Sequence, residues 1–202
     1  MKVDIQDVLF WMDAIRNSDD RYRTLESFWK GQVNSKIWLI ESLQKYVSLE
    51  DEYNVMIHGG WNGVLASLMF NSDLPIHHIT SLDIDPECQE TAYTVNKRQE
   101  MQGRFTAVTA DMCDYNYDAD VVINTSCEHI TNEQYRQWLE NVPHDALILV
   151  QSNNYFELEE HINCCDSLEH FVAKSNLRVF CAERLPLPKY DRYMVIGKKR
   201  RV

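Results

Sequence analysis

The chain has 202 residues, 45% hydrophobic and 25% charged, with only 6 Gly and 5 Pro, a composition that excludes a disordered, collagenous or low-complexity protein. Lys and Arg total 20 against 31 Asp and Glu, a formal charge of -11, so phosphate backbones are repelled and nucleic acid is not the expected partner. No uninterrupted apolar run exceeds the five residues of Ala146 to Val150, far fewer than the roughly 20 a membrane helix needs, and no basic flank precedes an apolar stretch at the N-terminus. The expectation is a soluble, cytoplasmic protein.

Residues 1–52 read as helical. Val8, Leu9, Met12 and Ile15 share one face at helical spacing, and Leu25, Phe28 and Trp29, then Ile37, Ile40 and Leu43, continue the pattern. Asn17, Ser18 and Asp19 supply a stop and a new N-cap. From residue 53 onwards, short aliphatic runs of strand length alternate with amphipathic stretches. The strands are predicted at 53–58, 79–84, 105–109, 121–124, 146–151, 177–183 and 192–196, with helices between them at 86–102, 132–141 and 157–175. Alternation of this kind predicts an α/β fold, doubly wound, with helices on both faces of a mostly parallel sheet. Residues 184–191, with Pro186 and Pro188, are too few for a parallel crossover. The seventh and last strand is therefore predicted to be antiparallel. The expected organisation is an N-terminal helical cap, 1–52, on a Rossmann-like domain, 53–202.

Chemistry concentrates where strands end. After the first strand comes His58-Gly59-Gly60-Trp61-Asn62-Gly63, and glycines between a strand and a helix let backbone N–H groups approach a ligand closely. No register of these glycines matches G-x-G-x-x-G, which disfavours a nicotinamide dehydrogenase. The second strand ends Leu82-Asp83-Ile84-Asp85-Pro86. Asp83 stands where a carboxylate accepts hydrogen bonds from ribose hydroxyls in doubly wound sheets, whereas Asp85 before Pro86 reads as a helix cap. Further segments of the same kind are Ala110-Asp111-Met112 after the third strand and Asp120-Val121-Val122-Ile123-Asn124 as the fourth.

The order of these four segments resembles the class I S-adenosylmethionine-dependent methyltransferases, over roughly residues 53–197. The resemblance implies S-adenosyl-L-methionine as cofactor. Gly59, Gly60 and Gly63 would line it, Asp83 would bind its ribose, and Ile84 would pack on the adenine. Asp111 and Met112 would read the adenine edge, with Asn124 and Thr125 near the methionine end. It also places the antiparallel strand last. Two positions depart from the family pattern: Ile57 stands where an acidic residue is usual, and Trp61 where a glycine is usual.

Ser126-Cys127-Glu128-His129-Ile130 is similar to the Leu-Glu-His segment of small-molecule members, which makes Glu128 and His129 the candidate catalytic bases. Gln151-Ser152-Asn153-Asn154-Tyr155, rich in hydrogen-bonding groups, offers Asn153 and Tyr155 as candidate substrate contacts. Trp11, Trp29 and Trp38 suit either core packing or a lid over a pocket. The six Cys form no CxxC pair and read as reduced thiols, not a disulfide framework. His161, Cys164 and Cys165 lie close in sequence, but no second ligand pair at zinc spacing follows, so no metal is expected. Lys198, Lys199, Arg200 and Arg201 read as a solvated basic tail.

The function these readings imply is methyl transfer to a small molecule, with a protein side chain as the second choice of acceptor. The alternatives are a catalytically degenerate binding protein of the same fold, motivated by Ile57 and Trp61, or aminopropyl transfer from the same cofactor, as in relatives that make polyamine-like or nicotianamine-like products. The acceptor and the oligomeric state are not legible.

Overall fold

The computed structural model describes residues 1–200. Seven strands form one sheet in the order β3-β2-β1-β4-β5-β7-β6, and the chain divides into two compact units, Met1–Asp111 and Met112–Val202. The helices of residues 1–52 belong to the first unit, together with the first three strands. No helix among the described residues is long and apolar enough to cross a membrane.

The first unit runs α1 (Ile5–Asn17), α2 (Arg21–Glu26), α3 (Lys30–Leu43), β1 (Tyr53–His58), α4 (Val64–Phe70), β2 (Ile76–Asp83), α5 (Glu87–Val95), α6 (Lys97–Met101) and β3 (Phe105–Thr109). β2 pairs parallel with both β1 and β3. Val55, Met56, Ile57, Ile79, Leu82, Phe105 and Ala107 fill its core beside α4, which is buried along nearly its whole length.

The apolar face predicted for α1 is not the one it buries. Leu9 and Met12 are more than half exposed, as is Ile5, whereas Asp7 and Ala14 are buried. The reason is polar. Asp7 Oδ1 accepts from Arg98 Nε at 2.9 Å, and Oδ2 accepts from Arg98 Nη2 and Asn71 Nδ2, each at 2.6 Å. Trp11 Nε1 donates to Ser67 Oγ at 2.9 Å on the same side. A buried carboxylate with this many donors fixes the rotation of the helix more firmly than a stripe of moderately apolar residues. α3 follows the prediction more closely, burying Leu39, Ile40 and Leu43. The single helix predicted at 86–102 breaks at Asn96, whose Nδ2 donates to Gly63 O and Ala92 O, each at 3.0 Å.

The second unit runs β4 (Val121–Asn124), a 3-10 turn (Cys127–His129), α7 (Asn132–Asn141), β5 (Leu147–Asn153), α8 (Leu168–Ser175), β6 (Leu177–Pro186) and β7 (Asp191–Lys199). β4 and β5 are parallel, and β7 lies antiparallel to both β5 and β6, as the short 184–191 connection predicts. Thr131 and Gln134 close a capping box at the start of α7. Two expectations are corrected. The helix predicted at 157–175 forms only over Leu168–Ser175, because the preceding residues are tied into a loop: Asn163 N donates to Glu128 O at 2.9 Å, and the His161 ring bonds Tyr155 O at 2.8 Å. The basic segment is not a tail either. Lys198 and Lys199 belong to β7, their ammonium groups donating to Asp145 O and Glu140 O, and Arg200 Nε donates to Leu177 O. Arg201 lies outside the described residues.

Candidate functional site

In the first unit, the ends of β1, β2 and β3 bring together most of the residues read as cofactor-binding. Gly59 and Gly63 adopt left-handed backbone, φ 64° and 71°. Gly60 needs its missing side chain for another reason: a Cβ there would stand 2.0 Å from Ser81 Oγ. The loop therefore lies directly on β2, with Gly60 N donating to Leu82 O at 3.0 Å. Trp61 is also left-handed, at φ 49°, which aims its N–H at Asp83 Oδ2, 2.8 Å away. Asp83 Oδ1 accepts from Asp85 N at 3.1 Å. Two backbone donors thus orient the carboxylate, and each oxygen keeps a second lone pair for a ligand hydroxyl.

Ile84, beside it, is 69% exposed, an apolar surface open to a flat ring. Asp85 Oδ1 accepts from Glu87 N at 3.0 Å, as expected of a helix cap, and its other oxygen is ion-paired with Arg23 of α2. The Glu87 N–H and the Arg23 guanidinium hold the Asp85 carboxyl below its usual value. The N-terminal helices are thereby fastened two residues from Asp83. Asp111 is half-buried at the end of β3, where Ala110 N donates to Asp83 O at 3.0 Å.

The two departures from the family pattern have physical consequences. Ile57 is a core residue, 1% exposed, and offers no carboxylate. His58, next to it, is fully buried, and burial pushes its imidazole down to about 3, so it carries no charge at neutral pH. Trp61 is partly buried, between the core and the surface.

The second unit holds a different cluster. Glu128, in the 3-10 turn after β4, is 2% exposed. Its Oε1 accepts from Asn153 Nδ2 at 2.6 Å and from Arg192 Nη1 at 3.3 Å. Asn153 and Arg192 face one another in the β5–β7 register, so the antiparallel strand delivers both to one carboxylate. Arg192, 7% exposed, also donates to Gln151 Oε1 at 3.2 Å and Thr125 O at 2.7 Å. Sequence reading did not single out Arg192. The available signal was a cation within the otherwise uncharged run 192–197, where a charge on a buried strand requires a partner.

Asn124 is fully buried; its Oδ1 accepts from Ser126 N at 2.9 Å and its Nδ2 approaches Met112 Sδ at 3.4 Å. Its side chain thus braces the turn and Met112. Thr125 contributes its carbonyl to Arg192. Tyr155 is half-buried, with its ring stacked on Tyr190 at 5.1 Å. His129 is exposed and meets the His161 ring edge to face at 4.7 Å. The neighbouring cysteines are held towards the protonated form. Burial pushes Cys164 up to about 11 and also raises Cys165.

No family model and no curated protein sequence matches the chain. Solved structures do match. Magnesium protoporphyrin IX methyltransferase (ChlM) from Synechocystis PCC 6803 with bound SAH superposes with a TM-score of 0.66 at 11% identity, covering 96% of this chain and 95% of that one. The chain has the class I methyltransferase fold. MtNAS in complex with MTA and tNA superposes on the fold with a TM-score of 0.62 at 16% identity, covering 96% of this chain and 70% of its own. The mitomycin 7-O-methyltransferase MmcR gives 0.64 at 16%, with 93% of this chain covered; the chain spans only 60% of MmcR.

Proposed function

We propose that the protein binds S-adenosyl-L-methionine and transfers its methyl group to a small-molecule acceptor. The observation that carries this reading is the Asp83 carboxylate, held by the Trp61 and Asp85 N–H groups over a glycine loop pressed onto β2. In a class I methyltransferase fold this is the place for ribose hydroxyls. Gly59, Gly60 and Gly63 would shape the cradle, Ile84 would cover the adenine, and Asp111 with Met112 would read its edge. With Ile57 in place of an acid, the amino group of the cofactor would be held by other groups. The partly buried Trp61 indole would contact the ligand.

The cofactor supplies the sulfonium leaving group, and the residues of this chain align the acceptor, keep water away and take its proton. Asn124 and Thr125 would lie near the methionine end. Glu128 and His129 are proposed as the proton-accepting groups, with Asn153 and Tyr155 as substrate contacts. An acceptor of small-molecule size is supported by the names of two structural neighbours, magnesium protoporphyrin IX methyltransferase and mitomycin 7-O-methyltransferase. A soluble, cytoplasmic protein that does not bind nucleic acid completes the reading. The helical cap over residues 1–52, anchored by Arg23 on Asp85, supports a role in covering the pocket.

MtNAS, solved with MTA, favours as a second reading transfer of the cofactor's aminopropyl chain, which leaves S-adenosylmethionine with its carboxylate attached and releases methylthioadenosine. Incubation with S-adenosylmethionine and a panel of amine and hydroxyl acceptors, followed by mass spectrometry of the adenosyl by-product, separates the two. S-adenosylhomocysteine is the expected product, and methylthioadenosine would establish the second reading. Cofactor binding without either product would mark a degenerate binding protein.

A further inference from the structure

We propose that Glu128, His129 and His161 form a binding site for one divalent first-row transition cation such as Zn2+ or Co2+. One ligand atom from each of the three residues lies within 4.8 Å of the others. The hydrogen bonds around them decide which atoms are available. His129 Nδ1 lies 3.1 Å from Glu160 O, and His161 Nδ1 lies 2.8 Å from Tyr155 O. A carbonyl oxygen can only accept, so both Nδ1 atoms carry the proton, and in each neutral ring Nε2 keeps a free lone pair. This is how metal-binding imidazoles are prepared: the second nitrogen is held by a backbone carbonyl, fixing tautomer and ring plane.

The carboxylate is prepared in the same way. Glu128 Oε1 is engaged by Asn153 and Arg192, but Oε2 is buried with no hydrogen-bond partner. A carboxylate oxygen in that state is costly to leave alone and is satisfied by a bound cation. Arg192 approaches through Oε1, which leaves the other oxygen for the metal. His129 is exposed, giving an ion a path from solvent, and the formal charge of -11 favours cations at the surface.

Two imidazoles and one carboxylate select transition metals over Mg2+ or Ca2+, which prefer all-oxygen shells. Bonds of about 2.1 Å would draw the three ligand atoms closer together than they stand, leaving at least one coordination position for water or a ligand oxygen. The Cys164 and Cys165 thiols, raised by burial, stand outside this set. The inference rests on the second unit alone, and it competes with the proton-accepting role proposed for Glu128 and His129, because a bound ion occupies their free lone pairs.

Its test is titration of chelator-stripped protein with Co2+, followed by visible absorption. One equivalent of Co2+ should bind with a d–d band that Zn2+ abolishes. His161→Gln and His129→Ala should each weaken binding by at least about tenfold, with circular dichroism confirming the fold. Asp83→Ala should bind Co2+ like the wild type, so a failure of cofactor binding leaves this result readable. Absence of the band in the wild type, or a His161→Gln variant that binds Co2+ unchanged, would overturn the proposal.

Discussion

Asp83 and Gly60 show how much of the proposed cofactor site depends on single atoms. The Asp83 carboxylate makes two backbone hydrogen bonds of its own, so its removal costs some local order, but the larger loss falls on a ligand. Hydrogen bonds to a charged acceptor are worth about 1.5–3 kcal/mol, so Asp83→Ala should weaken S-adenosylmethionine binding roughly ten- to hundredfold. For Gly60→Ala the effect is steric. Its Cβ would collide with Ser81 Oγ, and relief requires the hydroxyl to turn away or the loop to lift off β2. Overpacking of this kind costs about 1–3 kcal/mol, measurable by denaturant unfolding. The same substitution in a Ser81→Ala background should cost less, because the closest atom is gone. Glu128→Ala leaves the buried Arg192 guanidinium without its carboxylate and should destabilise the protein by about 3–5 kcal/mol.

The helices of residues 1–52 are held by specific polar clamps as well as by packing. At one end Asp7 bonds Arg98, Asn71 and Gln99; at the other Arg23 bonds Asp85 and Glu87. Burial alone would raise the Asp7 carboxyl, but hydrogen bonds from Arg98 and Asn71 and the guanidinium charge outweigh it and hold the group below 3.8. A depressed folded-state value means that the clamp contributes fully above the unfolded value, near pH 4, and fades as pH falls through the lower folded value. Asp7→Asn keeps the shape and removes the charge. It should lower stability by about 3–5 kcal/mol at pH 7, with the difference from wild type shrinking below about pH 4 in an acid titration followed by circular dichroism. These clamps also explain why hydrophobic periodicity misassigned the buried face of α1. A pattern of Val8, Leu9, Met12 and Ile15 carries no information about a partner arginine ninety-one residues away. The helix predicted at 157–175 failed for a related reason: Asn163 and His161 bond across the loop to Glu128 and Tyr155.

At the scale of the molecule, strand positions and the reversal of β7 were legible because both are local: aliphatic runs of strand length, and a connection too short for a crossover. Gly60 and Asp83 stood out in the same segments, but the close approach of Gly60 to Ser81 and the bond from Trp61 N–H to Asp83 were not legible there. The Glu128 cluster was legible only in part. Glu128, His129 and Asn153 stood out at strand exits, whereas Arg192 and His161 joined them through the β5–β7 register and a folded-back loop, which no sequence spacing encodes. Two substitutions in the first motif, Ile57 and Trp61, set this chain apart from the family it resembles, and they bear directly on whether an adenosyl ligand is held. Calorimetric titration of the wild type and Asp83→Ala with S-adenosylhomocysteine addresses that question most directly. Saturable one-to-one binding, weakened at least about tenfold by the substitution, is the expected result; no heat of binding, or identical affinity in both proteins, would contradict the account.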